Sequence, residues 1–565
     1  MGRLSICLNR AGFRRDKTAQ VEDEPQNSTT LLRTNGVVMA NTYNIYKVKF
    51  AKIDQLKEKL KSVGLVEQKT LEKDGYLKTF YFSEKVEGNE VWWWKAYRDF
   101  FNEGIEEPKN LFNFAVLVCQ NITEPEKIFA VSLGKSHFYL SKFIQLDFGI
   151  DLALHMADES SILLKKSRYF TGTKRQDVSS YQQFQVNNYE AGESVDHIKL
   201  KAANKTVWGN RSIIFADSIQ MDMDKQPMDL PEIFKIIEAS FKEDKIIYLP
   251  KLESVNIDIS NDLDIQALTH LRDGEGSVGI DQFHVSGVSI CFSFHDYDYV
   301  IKAKNSEGKL LSKQLGNTMD IEAVSEFLVE NKDIEDINNV TVQFKNEDAG
   351  RFTRSLKELL DIPIVWGDQQ YFLKNGEWFF FNQVFMEYLK RSLSAVEVIL
   401  EEQLIETEFA AWQAKKRANR QDGDDKVDYR EAYFNQKICN ERGYTLLDRE
   451  LTAIRSLEKK RRDYQIEVAD IYHKGEIISV KISKKKQELI YNIEQSKDSI
   501  TLIKNNKIKF SRRLTSAALW FVFEEDIKTI TDVNSIQFLL AVEAWKKLVI
   551  GYALKPKIYI SRHIK

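Results

Sequence analysis

Tyr464-Gln-Ile-Glu-Val-Ala-Asp-Ile-Tyr472, followed by the turn His473-Lys-Gly475 and by Glu476-Ile-Ile-Ser-Val-Lys-Ile482, is the stretch that decides the fold of the C-terminal part of the chain. Both flanking runs are rich in β-branched and aromatic residues, which favour strands. Glycine at the end of the short connection favours a tight turn. The pattern therefore predicts a β-hairpin with strands at Tyr464–Tyr472 and Glu476–Ile482.

An acid on the first strand and a lysine on the second are residue types that a metal-dependent phosphodiesterase uses. Successive side chains of a strand point to opposite faces, so Ser479 and Lys481 share one face of the second strand. Asp470 is the acid that the first strand offers. Glu467, three residues earlier, lies on the opposite face unless a bulge re-aims it. We expect Asp470 and Glu467 to bind Mg²⁺ and Lys481 to position the attacking water.

This layout resembles the PD-(D/E)xK nuclease core, in which an acid on one strand and the D/E-x-K of the next hold a divalent metal. The resemblance implies a restriction-endonuclease-like C-terminal domain that cleaves nucleic acid. Ser479 stands where D/E-x-K has its carboxylate, and a serine does not supply the charge that a Mg²⁺ site uses. For a nuclease, the missing acid would come from Glu467, Asp448 or Glu431. A nuclease-like fold that binds without cleaving is the alternative that Ser479 leaves open.

Basic residues are concentrated around this hairpin. Between positions 451 and 520 the sequence has 16 lysines and arginines against 8 aspartates and glutamates, although the net charge of the chain is −3. We expect five of them to contact phosphates: Lys484, Lys485, Lys486, Arg512 and Arg513. Exposed charges on solvated faces explain the same excess equally well.

Length and composition define the class of protein. The chain has 565 residues, of which 43% are hydrophobic and 29% are charged, as in globular proteins with well-formed cores. The predicted fold class is α+β and multidomain, with mixed sheets and helices. The predicted segments are a disordered leader or misannotated start (1–38), an N-terminal α+β domain (39–160), a central α+β domain (161–383) and a helix plus nuclease-like α/β domain (384–565).

The sequence also predicts where the protein acts. Residues 1–15 lack the apolar segment of a signal peptide, and no run approaches the ~18 apolar residues of a membrane span. The four cysteines are far apart and form no C-x-x-C motif, as expected in a reducing compartment. We therefore expect a cytoplasmic protein without a membrane partner.

Three further segments carry specific predictions. Tyr371–Phe381 is predicted to be a hairpin, because Asn375-Gly376 favours a type I′ turn. Apolar residues at helical spacing predict one long helix over Val384–Ala418. Trp92-Trp-Trp94 is interpreted as core or interface packing, with a base-stacking surface as the alternative.

Other stretches resemble a bacterial family of sporadically distributed proteins of unknown function, from about Asn41 to the C-terminal unit. Members typically carry histidine before the Val-Lys pair, where this chain has Ser479. The stretches that carry the resemblance are Phe143–Ile150, Tyr371–Phe381, Glu431–Asn435, Leu446–Asp448, Ile466–Asp470 and Ser479–Lys481.

The resemblance transfers no catalytic residue, because none is established in the family. Its patchy occurrence is typical of antiphage defence and mobile islands, which is an association and not a mechanism. The expected function is a defence-associated, metal-dependent nuclease that acts through the C-terminal domain. The alternative is a non-catalytic scaffold of a defence or mobile-element system that binds nucleic acid, a protein partner or a second copy of the chain.

Overall fold

A computed structural model describes the protein from residue 41 to residue 565. The predicted leader 1–38 lies outside the described residues. The internal residues that are not described are 85–88, 92, 111–112, 171–174, 186–187, 276, 279–282, 287–288, 293–295, 347–349, 368, 375, 420–427, 448–450, 454–464 and 509.

The N-terminal part is a large antiparallel sheet with the strand order β10-β9-β11-β12-β13-β1-β7-β6-β3-β2, and β8 pairs with β11. Strands from both sides of residue 160, the predicted end of the first domain, belong to this sheet. Its elements, with the separate β4–β5 pair, are β1 (Asn41–Lys47), α1 (Ile53–Ser62), β2 (Leu65–Lys73), β3 (Tyr76–Ser83), β4 (Asn89–Glu90), β5 (Lys109–Asn110), β6 (Ala115–Asn121), β7 (Ile128–Leu133), α2 (His137–Leu140), α3 (Phe148–Met156), β8 (Ala157–Asp158), β9 (Leu164–Tyr169), β10 (Arg175–Ser180), β11 (Glu193–Ala202), α4 (Lys205–Trp208), β12 (Ser212–Phe215), β13 (Ile219–Met223) and α5 (Leu230–Ser240).

The middle part contains smaller antiparallel sheets, with strand orders β14-β25-β24-β23 and β19-β18-β20-β21. Its elements are β14 (Leu252–Ser254), α6 (Ile257–Arg272), β15 (Ser277–Val278), β16 (Phe283–Ser286), β17 (Ser289–Phe292), β18 (Asp298–Lys304), β19 (Leu310–Gly316), α7 (Ile321–Glu330), β20 (Val340–Asn346), β21 (Gly350–Ser355), α8 (Leu356–Leu359), β22 (Leu360–Asp361), β23 (Pro363–Trp366), β24 (Gln369–Lys374) and β25 (Glu377–Phe381). The hairpin predicted at Tyr371–Phe381 is confirmed, since Lys374 pairs with Glu377 and Gly376 has a φ of 81°.

The C-terminal part is a mixed sheet with the order β26-β34-β33-β32-β31-β28. Strands β32, β33, β34 and β26 run parallel, while β31 and β28 are antiparallel to their neighbours. Its elements, with the separate β29–β30 pair, are α9 (Gln383–Ser394), β26 (Glu397–Leu400), β27 (Leu404–Ile405), α10 (Glu406–Ala418), α11 (Arg430–Arg442), β28 (Thr445–Leu446), β29 (Leu451–Ala453), β30 (Gln465–Glu467), β31 (Ile471–His473), β32 (Glu476–Ile482), α12 (Lys486–Lys504), β33 (Ser516–Phe523), α13 (Ile536–Gly551) and β34 (Lys555–Ile564).

Helices cover both faces of this sheet. Leu519 and Phe521 of β33 lie in the core that α12 and α13 form on one face, and Trp520 packs with Phe434 of α11 on the other. Every residue of β33 is buried. Burial on both faces explains why this strand reads as a nearly continuous apolar run and not as an alternation. The α+β class with mixed sheets and helices is confirmed.

One hydrophobic core joins the C-terminal sheet to the rest of the protein. It includes Leu56 of α1, Val116 of β6 and Phe385 of α9, together with Trp545 of α13 and Phe521 of β33. The predicted boundary at 383/384 falls at the start of α9. Residues of α9 share this core with residues that precede the boundary, such as Leu56 and Val116, and with residues that follow it, such as Phe521 and Trp545.

Two predictions about secondary structure are wrong. The helix predicted at Val384–Ala418 is two helices, α9 and α10, separated by β26 and β27. Val398 and Ile399 pair with β34, and the gain from completing the sheet outweighs the helical spacing of the apolar residues. The strand predicted at Tyr464–Tyr472 is interrupted, because β30 pairs with β29 and β31 pairs with β32.

The turn between β31 and β32 requires glycine. Gly475 has a φ of 94°, and a Cβ atom there would lie 2.7 Å from Oγ1 of Thr515. Gly443, at the end of α11, has a φ of 65° but open space around it. We expect Gly443→Ala to lower the free energy of unfolding by about 1 kcal/mol and Gly475→Ala by about 2–3 kcal/mol, since only the second adds a clash to the backbone strain. Urea unfolding measures both, and equal losses would contradict the packing described for the turn.

Candidate functional site

The site lies at the N-terminal end of β31, where the pairing of β31 with β32 stops. Within the hairpin, His473 pairs with Glu476 and Ile471 pairs with Ile478. The N–H of Asp470 donates the last hydrogen bond of this ladder, to the carbonyl of Ile478 at 3.1 Å. Strand β32 continues beyond this point to Ile482. Alternate residues of a strand direct their main-chain N–H groups to the same edge. The N–H groups of Val480 and Ile482 therefore face the edge where β31 no longer supplies carbonyl oxygens, and they need acceptors from elsewhere.

Two carboxylates supply those acceptors. The N–H of Val480 donates to Oδ2 of Asp470 at 2.7 Å, and the N–H of Ile482 donates to Oε1 of Glu431 at 3.2 Å. Residues two apart in a strand are separated by about 6.6 Å. The two carboxylates therefore lie side by side along one strand edge, although Glu431 comes from α11 and Asp470 from the hairpin.

The lysine predicted to be functional lies at the same place. Nζ of Lys481 is 3.0 Å from Oε1 of Glu431, and the two side chains are 25% and 23% exposed. Both charged groups are therefore held by the protein and still accessible to solvent. Glu431, Asp470, Lys481 and Asn435 are called the edge site below.

Asn435 contacts the carboxylate of Asp470 from the buried side of the site. It lies one turn after Glu431 on α11 and is fully buried, and its Nδ2 donates to Oδ1 of Asp470 at 3.4 Å. Its Oδ1 is buried with no hydrogen-bond partner among the described residues. Because Nδ2 faces a carboxylate, reversing the amide would place oxygen against oxygen. A buried amide oxygen without a donor is costly, and a cation or a water molecule would satisfy it.

The donor set fits Mg²⁺. Carboxylate and amide oxygens are the ligands that hard cations prefer, and Mg²⁺ is commonly bound by one or two carboxylates with water and substrate phosphate completing its shell. In the part of the chain that the structure describes, no group of three or more His, Cys, Asp or Glu residues is placed to hold a metal. Within the described residues, the edge site thus offers two carboxylates, those of Glu431 and Asp470.

The structure does not describe the side chains of the other two predicted acids. Glu467 is the last residue of β30 and pairs with Leu451, and its side chain is outside the described part. Asp448 also lies outside the described residues. Ser479, in the carboxylate position of D/E-x-K, is buried. The acid brought next to Lys481 is Glu431, which the sequence offered only as one of three alternatives.

The predicted basic residues are divided between the two ends of the parallel strands. Lys484 is the second residue after β32, and its Nζ lies 2.8 Å from Oε2 of Glu524, which directly follows β33. Arg512 and Arg513 precede β33, at the opposite end. The guanidinium of Arg512 is 5.4 Å from the ring centre of Tyr472.

The other two lysines of the run also contact carboxylates. Nζ of Lys485 is 3.7 Å from Glu488, and Nζ of Lys486 is 3.9 Å from Glu525. Both distances are long for ion pairs, so the lysines are held only loosely at the carboxyl end of the sheet.

Sequence reasoning missed a group of charged residues at the carboxyl ends of β32, β33 and β34. Nε2 of His563 lies 2.7 Å from Oε2 of Glu406, and its Nδ1 lies 3.8 Å from Oε1 of Glu524. Arg430 holds Glu406 with two hydrogen bonds, of 2.9 and 2.5 Å. No spacing in the sequence links them, because they come from separate elements. This carboxyl-end cluster consists of Glu406, Arg430, Lys484, Glu524, His563 and Lys565.

These contacts perturb the carboxylates. The hydrogen bond from Arg430, followed by that from His563, lowers the pKa of Glu406 to about 2. Lys484 and Lys565 lower the pKa of Glu524 to about 2 in the same way. Both acids therefore stay ionised throughout the physiological range.

The tryptophans of the predicted packing run lie far from the edge site in the sequence and differ in their exposure to solvent. Trp94 is buried, with its ring centre 3.9 Å from that of Phe101, whereas Trp93 is partly exposed. Trp92 lies outside the described residues. The packing interpretation therefore holds for Trp94.

The molecule is an α+β protein whose C-terminal sheet of mainly parallel strands is covered by helices on both faces. The chain belongs to a family of unknown function (DUF6119), whose model matches residues 30–531. The family resemblance seen in the sequence, to proteins without an established function, is thereby confirmed. No curated protein matches the chain. Among the helices of the described part, none has the length and apolar character needed to cross a bilayer.

Asp470 has a structural role that can be separated from its charge. We expect Asp470→Ala to lower the free energy of unfolding by about 1–3 kcal/mol, because it leaves the buried N–H of Val480 without its acceptor. Asp470→Asn keeps an acceptor oxygen and should cost less than about 1 kcal/mol. Thermal unfolding of both variants tests this, and equal stabilities would show that the hydrogen bond is unimportant.

The lowered pKa of Glu406 predicts a pH dependence. A carboxylate whose pKa is lower in the folded state stabilises the protein above its unfolded pKa, near 4.5, and loses that contribution as the pH falls toward 2. Glu406→Gln should therefore lower the melting temperature at neutral pH, and the difference from wild type should shrink below pH 4.5. A difference that widens on acidification would refute the assignment.

Proposed function

We propose that the C-terminal unit is a Mg²⁺-dependent phosphodiesterase that cleaves nucleic acid at the edge site. The observation that supports this is that Asp470 and Glu431 accept hydrogen bonds from two alternate N–H groups of β32, and that the ammonium group of Lys481 lies beside Glu431. These groups come from a helix, a strand end and a strand. Their shared position is what a metal-assisted hydrolysis requires.

Each residue of the edge site has a distinct role in this proposal. Glu431 and Asp470 would hold Mg²⁺, and Asn435 fixes the orientation of Asp470 and offers its Oδ1. When bound, the ion would polarise a phosphoryl oxygen and make a coordinated water more acidic. The ammonium of Lys481 would donate a hydrogen bond to the attacking water or to a phosphoryl oxygen, where negative charge develops in the transition state.

The likeness to PD-(D/E)xK cores supports the same assignment. Asp470 lies at the start of β31, and Lys481 lies on the next strand, as the sequence suggested. Ser479 departs from the pattern, and Glu431 of α11 supplies the second acid from another element. The restriction-endonuclease-like character of the unit is part of this proposal.

A non-catalytic binding function is the second candidate. It is favoured by the buried Ser479 and by the presence of only two carboxylates at the edge site within the described residues. In that case Glu431 and Lys481 would be an ion pair that closes a strand edge. Nucleic acid or a protein would then bind without being cleaved.

We place either function in the cytoplasm, because Cys119 and Cys439 are buried free thiols. The defence role rests on the patchy occurrence of the similar family alone. It is tested separately, by comparing phage plaque numbers on cells that carry the wild type or Lys481→Ala.

Cleavage assays with the full chain test the proposal. Plasmid DNA, single-stranded DNA and RNA are each incubated with Mg²⁺, Mn²⁺ or EDTA. We expect metal-dependent cleavage of at least one substrate, lowered at least about 100-fold in Lys481→Ala and in Asp470→Asn.

Lys437→Ala is the matched control. Lys437 also forms an ion pair with a glutamate of the C-terminal unit, Glu408 at 2.7 Å, and is 20% exposed. Its replacement should leave cleavage unchanged. Binding of a substrate without cleavage in either metal would instead establish the second candidate.

A further inference from the structure

One oxygen atom of the carboxyl-end cluster holds two ammonium groups. Oε2 of Glu524 lies 2.8 Å from Nζ of Lys484 and 2.7 Å from Nζ of Lys565. The two ammonium groups are therefore no more than about 5.5 Å apart. The lysine side chains are 62% and 61% exposed, and Glu524 is 28% exposed. Two solvated cations thus share a single anion at the surface.

The position of this group is one where ligands bind. Glu524 and Lys565 directly follow the parallel strands β33 and β34, and Lys484 is the second residue after β32. In open sheets with parallel strands, ligands bind outside the carboxyl ends of those strands. Helices α10 and α11 also begin here, at Glu406 and Arg430, and helix N-termini favour anions.

A buried histidine lies beside Glu524. The side chain of His563 is only 4% exposed, with one nitrogen beside Glu406 and the other beside Glu524. Glu406 is in turn fixed by Arg430. Besides His563, the cluster has three cations, Arg430, Lys484 and Lys565, and two carboxylates, Glu406 and Glu524. A bound anion would therefore be attracted to it even before any group moves.

We infer that the carboxyl-end cluster is a phosphate subsite for the backbone of a nucleic acid, in which Glu524 occupies the place that a phosphate takes when the substrate binds. Exposed ion pairs contribute little to stability, so Lys484 and Lys565 can leave Glu524 at small cost. The identification of the ligand as a nucleic acid rests on the proposed function. The subsite adjoins the edge site in the chain, since Arg430 precedes Glu431 and Lys484 follows Lys481 by three residues.

The direction in which one substitution changes the affinity for nucleic acid distinguishes a phosphate subsite from a purely structural ion pair. Glu524→Gln removes the competing anion but keeps the shape of the side chain. If Glu524 stands in for a phosphate, the variant should bind nucleic acid several-fold more tightly than wild type. If the ion pairs only stabilise the fold, the variant should show a lower melting temperature and no gain in affinity.

Fluorescence anisotropy with labelled single-stranded and double-stranded oligonucleotides in EDTA measures the affinity without metal-dependent cleavage. The double variant Lys484→Ala/Lys565→Ala should bind at least about 10-fold more weakly. Its plot of log affinity against log salt concentration should be shallower by about 1.4 for single strands or 1.8 for duplex. The strand type that shows the larger loss is the preferred substrate.

Lys555→Ala is the control. Lys555 begins β34 at the opposite end of the same strand, is 64% exposed and lies 2.6 Å from Glu397. Its replacement should leave affinity unchanged. Unchanged or weaker binding by a folded Glu524→Gln protein, or an equal loss in Lys555→Ala and in the double variant, overturns the subsite. Tighter binding by Glu524→Gln in a protein that cleaves nothing supports the subsite and rejects only the nuclease.

Discussion

The edge site depends on the shortness of β31. Its pairing with β32 begins only at Ile471, opposite Ile478, so two N–H groups of β32 beyond that point remain to be satisfied. A third strand could have supplied carbonyl oxygens, but here the carboxylates of Asp470 and Glu431 do so. The rule that buried main-chain donors need acceptors thus fixes two negative charges at adjacent positions. The same hydrogen bonds hold both acids in place without any ligand.

Such an arrangement has an electrostatic cost that the surroundings offset. Two carboxylates along one strand edge repel each other, and the ammonium of Lys481 and the amide of Asn435 reduce that repulsion. The supports are rigid, because β32 is paired with the fully buried β33 and α11 packs on the same sheet. Groups held on rigid elements keep their geometry without rearrangement when substrate arrives.

The sequence predicted the local parts of this site and missed the long-range ones. The turn at Lys474-Gly475, the strand Glu476–Ile482 and the positions of Asp470 and Lys481 on the hairpin follow from residue types and period-two alternation. The break between β30 and β31 does not, because each half pairs with a different partner. Glu431 stood only as one of three candidate acids, since its distance from Lys481 is a property of helix packing and not of spacing. The carboxyl-end cluster combines residues more than 150 positions apart, such as Glu406 and His563, and of its members only Lys484 was named from the sequence.

The core that runs from α1 and β6 through α9 to α13 has an evolutionary consequence. A gene rearrangement that carried residues 384–565 alone to another protein would expose the apolar faces of α9 and α13 to solvent. Such a fusion product would aggregate or be degraded before selection could act on its activity. A rearrangement that keeps this core intact therefore has to carry the C-terminal unit together with the sheets that precede it.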